Sequence, residues 1–217
     1  MSAESPALRP GAATRDHVLD VAERLAQTRG FNGFSYADIA AELGITKASL
    51  HYHYPTKADL GCALIERYGQ RFGVALGQIG AAGWAAARQL EAYVQLYAGV
   101  LRNDRLCLCG MLAAEYSTLP EPMRRAIRGF FEENEAWLAR LLESGRRAGD
   151  LTFEGRAAEA ANALTSTLEG AMLLARSYGD PSRFETAAGR LLREYAPQGR
   201  TPGSGTAHSR RRGGRRG

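Results

Sequence analysis

The chain places hydrogen-bonding side chains in close succession at Lys47, Ser49, His51, Tyr52 and His53, with Lys57 just beyond. Groups of this kind suit base edges and phosphate oxygens, because they donate or accept in a groove and neutralise a phosphate backbone. The chain has only two lysines against 26 arginines, and they are Lys47 and Lys57. Two of its four histidines, His51 and His53, lie between them. Leu50 is the one evident inward anchor in the run. The plain alternative is a solvated polar face on a short helical hairpin.

The flanking residues are those that position such a run. Ser35 and Asp38 have capping-box spacing and open a helix through Ile39, Ala40 and Leu43. Gly44 stops it, since glycine takes the left-handed cap conformation without penalty. Thr46 can cap a second helix from Lys47 to about His53, which ends because Pro55 disfavours helical geometry at the residue before it. Thr56 and Asp59 form another box and open a third helix. Two short helices around a tight glycine turn form a helix-turn-helix unit. The small residues Ala37, Ala40, Ala41 and Ala48 are expected to let the two helices approach closely.

The run Ile45-Thr-Lys-Ala-Ser-Leu-His-Tyr-His-Tyr-Pro-Thr-Lys-Ala-Asp-Leu60 resembles the recognition helix and following helix start of TetR-family transcriptional regulators. Upstream, Thr28-Arg-Gly-Phe-Asn-Gly-Phe-Ser-Tyr-Ala-Asp-Ile-Ala40 is similar to that family's end of helix one and start of helix two. The likeness spans Thr14 to Leu64. It departs at His51, where the family usually has tyrosine, and at Tyr54, where phenylalanine is usual. The resemblance implies DNA contacts from Ser35, Thr46, Lys47, Ala48, Ser49, His51, Tyr52, His53 and Lys57. It also implies an all-α fold, in which a three-helix head at residues 14–60 precedes a helical regulatory and dimerisation body at 61–197.

Helical spacing of apolar residues runs through the whole chain. Val18, Val21, Ala22, Leu25 and Ala26 share one face of a first helix, capped by Thr14 and ended by Gly30. Phe31 and Phe34 are expected to plug the head. A long fourth helix from Thr56 carries Leu60, Leu64, Tyr68, Phe72, Leu76 and Ile79, and Gly77, Gly80 and Gly83 punctuate its end. Further helices are expected over Trp84–Asn103, Leu106–Thr118, Pro120–Gly149, Phe153–Tyr178 and Pro181–Tyr195. Residues 1–13 and 198–217 read as disordered termini, the second basic and of low complexity.

The net charge of +5 over 217 residues comes from that last segment: without its six arginines the remainder carries −1. Bulk charge therefore gives no argument for nucleic acid; the placement of Lys47 and Lys57 does. Strand signals are nearly absent, no apolar run approaches the ~20 residues of a membrane span, and the N-terminus has no apolar signal core. A cytoplasmic protein is expected, and three cysteines suggest no disulfide framework. No phosphate loop, metal-ligand spacing or nucleophile elbow occurs, so no catalytic residue, metal or cofactor is expected. Cys107 carries two readings. Beside Arg102 and Arg105 at a helix start it would be a reactive thiolate; as a small hydrophobe it would be buried and inert. Some TetR-like proteins sense electrophiles through a cysteine in this region.

The resemblance implies a regulator, most often a repressor, released from a near-palindromic operator by a small effector. Candidates for the effector pocket are Phe72, Trp84, Tyr93, Tyr97, Cys107, Met111, Tyr116, Phe130, Phe131 and Trp137. A homodimer is expected through the small-residue stripe of the eighth helix, with Ala160, Leu164, Leu168 and Ala171, and through Phe184 and Leu191 of the ninth. The competing readings are a helical small-molecule-binding protein or enzyme, and an adaptor that docks other proteins on the helix pair.

Overall fold

The structure, a computed structural model, describes residues 10–197. Among them it contains nine α-helices and no strand: α1 Pro10–Arg29, α2 Tyr36–Leu43, α3 Lys47–His53, α4 Lys57–Ala81, α5 Ala86–Arg102, α6 Leu108–Ala114, α7 Glu121–Ala148, α8 Ala157–Tyr178 and α9 Ser182–Tyr195. A short 3₁₀ turn, Tyr116–Thr118, follows α6. The tail expected to be disordered and basic, 198–217, and most of the N-terminal segment lie outside the described residues.

The head closes as its caps dictate. Ser35 N–H donates to Asp38 Oδ2 at 2.7 Å, and the Ser35 hydroxyl covers the Ala37 N–H at 3.2 Å. The Ser35 hydroxyl also donates to Asp38 Oδ2 at 2.7 Å, and this bond first, then the one from Ser35 N–H, holds the Asp38 carboxyl below its ordinary range. Gly44 ends α2 with φ +65°, and Ile45 N–H reaches back to the Ala40 carbonyl. Thr46 Oγ1 accepts from Ser49 N–H at 3.2 Å to start α3. Leu50 is the sole fully buried residue of α3. Burial of one such side chain stabilises by about 1.5–3 kcal/mol, so this single leucine bolts α3 to the head. The head core is Val18, Ala22, Leu25, Phe31, Phe34, Ile39, Leu50, Leu60 and Leu64. Of the four alanines expected between α2 and α3, only Ala40 is buried; Ala37, Ala41 and Ala48 face solvent. The turn brings the helices together at one crossing point, and the other three methyls sit on outer faces.

The body is a helical bundle in which α7 packs against α4, α5, α6 and α8, and α9 against α8 and α5. α4 approaches α7 closely where Gly61 faces Met123: a Cβ there would stand 2.4 Å from the Met123 methyl carbon. Beyond that point α4 runs straight through Gly77 and Gly80, and the break falls at Gly83, with φ +68°. Each interior glycine weakens a helix by about 1 kcal/mol relative to alanine. Leu76 and Ile79, both buried, hold the last turns in place nonetheless.

Several boundaries differ from the periodic pattern. α1 begins at Pro10, one turn before Thr14. α6 is far shorter than Leu106–Thr118, for a local reason. Leu106 N–H donates to the Gln27 carbonyl at 3.3 Å, and the Gln27 side-chain amide donates to Leu106 O at 3.0 Å. Those bonds tie residue 106 to α1 instead of to a helix of its own. α8 starts at Ala157, because Gly155 takes φ +74° and Thr152 N–H bonds the Tyr195 carbonyl at 3.0 Å.

Candidate DNA interface and regulatory body

α3 presents Lys47, Ala48, His51 and Tyr52 outward, with Ser49 and His53 half-buried at its sides. Tyr52 is 85% exposed, the most exposed large hydrophobic side chain among the described residues, and its ring lies edge-on to His53. His51 leans on Tyr36 with ring centroids 4.8 Å apart. Its Nδ1 lies 3.1 Å from the Pro55 carbonyl oxygen, so the neutral ring carries its proton there and leaves Nε2 free to accept. Tyr54 is buried, and its hydroxyl accepts from Arg15 Nε at 3.2 Å. The Tyr36 hydroxyl shares its proton between the Tyr54 and Thr56 carbonyls, at 2.8 and 2.7 Å. Burial, and then Asp59, push that phenol up to about 12, so it stays a donor. The outcome is a short, stiffly backed helix whose outer surface is one cation and several neutral hydrogen-bonding groups. Ser35 and Thr46 spend their hydroxyls on caps at the edge of this surface.

Lys57 does not join it. Its ammonium turns inward, donates to the Phe31 and Phe34 carbonyl oxygens, and sits over both rings at 4.7 and 4.4 Å. Desolvation lowers its pKa, and Glu115 and Asp38 oppose the shift. Lysine at the start of α4 is therefore a clamp on the 31–34 loop. The sequence placed it beside the recognition helix correctly but could not show which way it turns.

The same loop is held from the body. Phe31 N–H donates to Glu115 Oε2 at 2.8 Å, Asn32 N–H to the same carboxylate, and Asn32 Nδ2 to Thr118 Oγ1 at 2.8 Å. Glu23, buried on α1, pairs with Arg67 at 3.0 Å and with Arg71, both on α4. Head and body are thus joined by α4, by the Glu23 pairs and by the Glu115 grip. None of the residues in the last two links stood out from the sequence, because a carboxylate accepting backbone N–H groups some 84 positions away leaves no local pattern.

The effector-pocket candidates separate. Phe72, Phe130 and Trp137 line a cleft of about 340 Å³ between α4 and α7, together with Gly69, Gly73, Asn134 and Arg140. Tyr93 and Tyr97 are buried behind it, their hydroxyls 3.2 Å apart, and Trp137 stacks on Tyr93 at 5.7 Å. Trp84 lies under Arg88 beside a neighbouring groove. Phe131 and Met111 are half-buried packing residues. Tyr116 stands apart, exposed and covered by Arg124.

Cys107 is buried at the start of α6, and its environment is the reverse of the cationic one that Arg102 and Arg105 suggested. Desolvation, then Glu169 and Cys109, push the thiol well up. Tyr68 O–H points at its sulfur from 3.7 Å. Burial also raises Cys109. A thiol-specific reagent should therefore label Cys62 first and reach Cys107 and Cys109 only on unfolding, read by mass spectrometry of timed samples. Native labelling of Cys107 at the rate of Cys62 would contradict this.

Glu169 itself leaves part of its stem exposed while its carboxyl is buried, with Oε1 unpartnered and Oε2 over Gly110, where a Cβ would come within 2.3 Å. Desolvation raises its pKa from 4.5 to about 7. The folded protein thus prefers the protonated acid. Its stability contribution declines as pH rises from about 4.5 to about 7 and is lost above that. Glu169→Gln should match wild type below that window and exceed it above pH 7, by up to about 3 kcal/mol in urea titrations. A pH-independent difference would overturn this account of the carboxyl.

Five of the six residues expected at a dimer interface are enclosed within the protomer. Leu164, Leu168 and Phe184 are within 1% of full burial inside the protomer, Ala160 and Leu191 are buried too, and Ala171 alone is partly open. Their stripe packs α8 and α9 onto the protomer's own body. The outward face of α8 carries Leu173, Leu174 and Tyr178, at 48%, 60% and 64% exposure, beside a groove formed with Ser182, Thr186, Ala187 and Arg190 of α9.

No helix among the described residues is long and apolar enough to cross a membrane, and no group of three metal-ligating side chains occurs among them. Residues 18–63 match the family described as bacterial regulatory proteins, tetR family, and residues 86–191 match the tetracyclin repressor-like C-terminal domain. A solved TetR-family regulator from Agrobacterium tumefaciens is 33% identical, with a TM-score of 0.83 over 86% of this chain and 99% of that one. The reduced form of NemR from Escherichia coli superposes with a TM-score of 0.78 at 27% identity, covering 86% of this chain and 99% of that one. In a sequence comparison the same repressor, named an HTH-type transcriptional repressor, is 29% identical over 75% of this chain and 84% of its own length. The exposed polar helix on its capped three-helix head, the six-helix body behind it and these likenesses place the chain in the TetR family of transcriptional regulators.

Proposed function

We propose that this regulator is a repressor that binds a near-palindromic operator as a dimer and is released by a small effector. The observation that carries the reading is the outer face of α3. A helix of seven residues is held by a cap at its start, one buried leucine and a buried tyrosine at its end, and shows solvent a lysine, two histidines and a tyrosine. Lys47 neutralises phosphate, and His51 Nε2, Tyr52 and Ser49 are placed to read base edges. One such helix covers too few bases for specificity, so a two-fold dimer presenting two of them to successive major grooves supplies the rest.

Release works through the two head–body links. Effector binding in the body favours a conformer in which α4 and the Glu115 grip carry the heads away from that spacing. A ligand shifts the equilibrium only by its differential affinity for the two conformers. A gel shift with the intergenic DNA upstream of the chain's own coding region tests the reading. A discrete, competitor-resistant complex supports it, and binding no tighter than to random duplex at equal salt would contradict it. The adaptor reading predicts the second result, and it has no feature in its favour comparable to the capped polar face.

A further inference from the structure

The α4–α7 cleft holds two features that packing does not explain. Asn134, midway along α7, is 2% exposed and lines the cleft, yet neither its Oδ1 nor its Nδ2 has a hydrogen-bond partner. A buried amide left unpaired destabilises a fold, and its neighbours along that face of α7, Phe130, Leu138 and Leu141, are apolar. Across the cleft, Gly69 and Gly73 delete side chains from the interior of α4. A Cβ at Gly73 would meet nothing within 4 Å, and one at Gly69 would come no nearer than 3.8 Å to Phe130. These glycines do not serve close helix approach, as Gly61 does against Met123. They weaken the helix and leave open space.

That space has aromatic walls, Phe72, Phe130 and Trp137, and about 340 Å³ of room. An unpaired primary amide offers an NH₂ donor group and a carbonyl acceptor side by side in a single plane. A ligand carrying only acceptors or only donors leaves half of it unpaired. Glu133 and Arg140, also in the lining, bring one charge of each sign, so the site has no strong preference for an anion or a cation.

We propose that this cleft is the effector site and takes a flat, bicyclic aromatic molecule with a cyclic amide, whose adjacent N–H and C=O pair with Asn134. The proposal rests on the effector-responsive reading above and adds to it the site and the ligand class. An occupant wedged between α4 and α7 acts directly on the helix that carries the head. A site built to hydrogen-bond a group rejects the analogue lacking it more sharply than it rejects a change of apolar shape.

The probes are quinolin-2(1H)-one and its N-methyl derivative, which keeps the rings and carbonyl but loses the donor. Isothermal titration calorimetry on the full chain should show one quinolin-2(1H)-one per protomer and at least tenfold weaker binding of the N-methyl compound. Asn134→Leu should erase that preference while melting at or above the wild-type temperature, because an unpaired amide has been removed. Gly73→Leu should bind neither probe yet remain folded, since it adds a side chain into open space. Three results would overturn the proposal: no heat with quinolin-2(1H)-one, equal affinity for both probes in the wild type, or a preference that survives Asn134→Leu. Gel shifts run on the same samples keep the two readings apart. Intact operator binding without probe binding sinks the cleft alone, and absent operator binding sinks the regulator reading.

Discussion

Leu173→Glu with Leu174→Glu should leave each protomer folded, convert dimers to monomers and lower specific DNA affinity by at least about a hundredfold. The two side chains are 48% and 60% exposed in the protomer, so charges there cost the isolated fold little. In the proposed dimer, with its two-fold axis on this face, the same charges would meet their copies. An uncompensated buried charge destabilises by about 3–5 kcal/mol, and a hundredfold in affinity requires only about 2.7 kcal/mol. Sedimentation velocity reads the mass and circular dichroism the fold. Leu164→Glu is the informative control. Leu164 is fully buried within the protomer, so that change should unfold the body outright. A double variant that still sediments as a dimer would move the interface away from the α8–α9 face.

The two lysines should behave in opposite ways. Lys47→Ala, at an exposed position, should reduce operator affinity and lower the salt slope by about 0.9 for each lysine lost, about 1.8 per dimer, with an unchanged melting temperature. Lys57→Ala should leave the slope nearly unchanged and lower stability by about 1–3 kcal/mol, because the Phe31 and Phe34 carbonyls lose their donor. For a chain of this size that is a fall of several degrees. Equal losses of slope from both variants would show that Lys57 swings out to phosphate in the complex.

The contrast shows what the chain displays in one dimension. Capping boxes, stop glycines and the position of α3 are local patterns, so Ser35–Asp38, Gly44 and Thr56–Asp59 mark the head directly. Direction is not local. Lys57 turns inward because two carbonyls and two rings from the 31–34 loop happen to meet it there. α8 is apolar or small on two faces, and periodicity cannot tell the face that packs onto its own body from the face left open. Leu164 and Leu168 lie on the first, Leu173 and Leu174 on the second. Cys107 shows the same limit. Arg102 and Arg105 are its neighbours in sequence, whereas Glu169 of α8 and Tyr68 of α4 are its neighbours in space, and burial, then the Glu169 charge, reverses its expected acidity. Asn134 escaped notice because a single amide in an apolar stripe of α7 looks like surface until its burial is known.

Two copies of α3 are expected to read two half-sites together. Footprinting the upstream intergenic DNA, with the mass of the complex on that duplex measured by sedimentation, reads this out. Two protomers per site are expected, with two protected half-sites centred about 34 Å apart, one helical turn, or a small multiple of that. Protection should be lost on both half-sites together in Lys47→Ala with Tyr52→Ala. A single protected segment bound by one protomer with full affinity would contradict it.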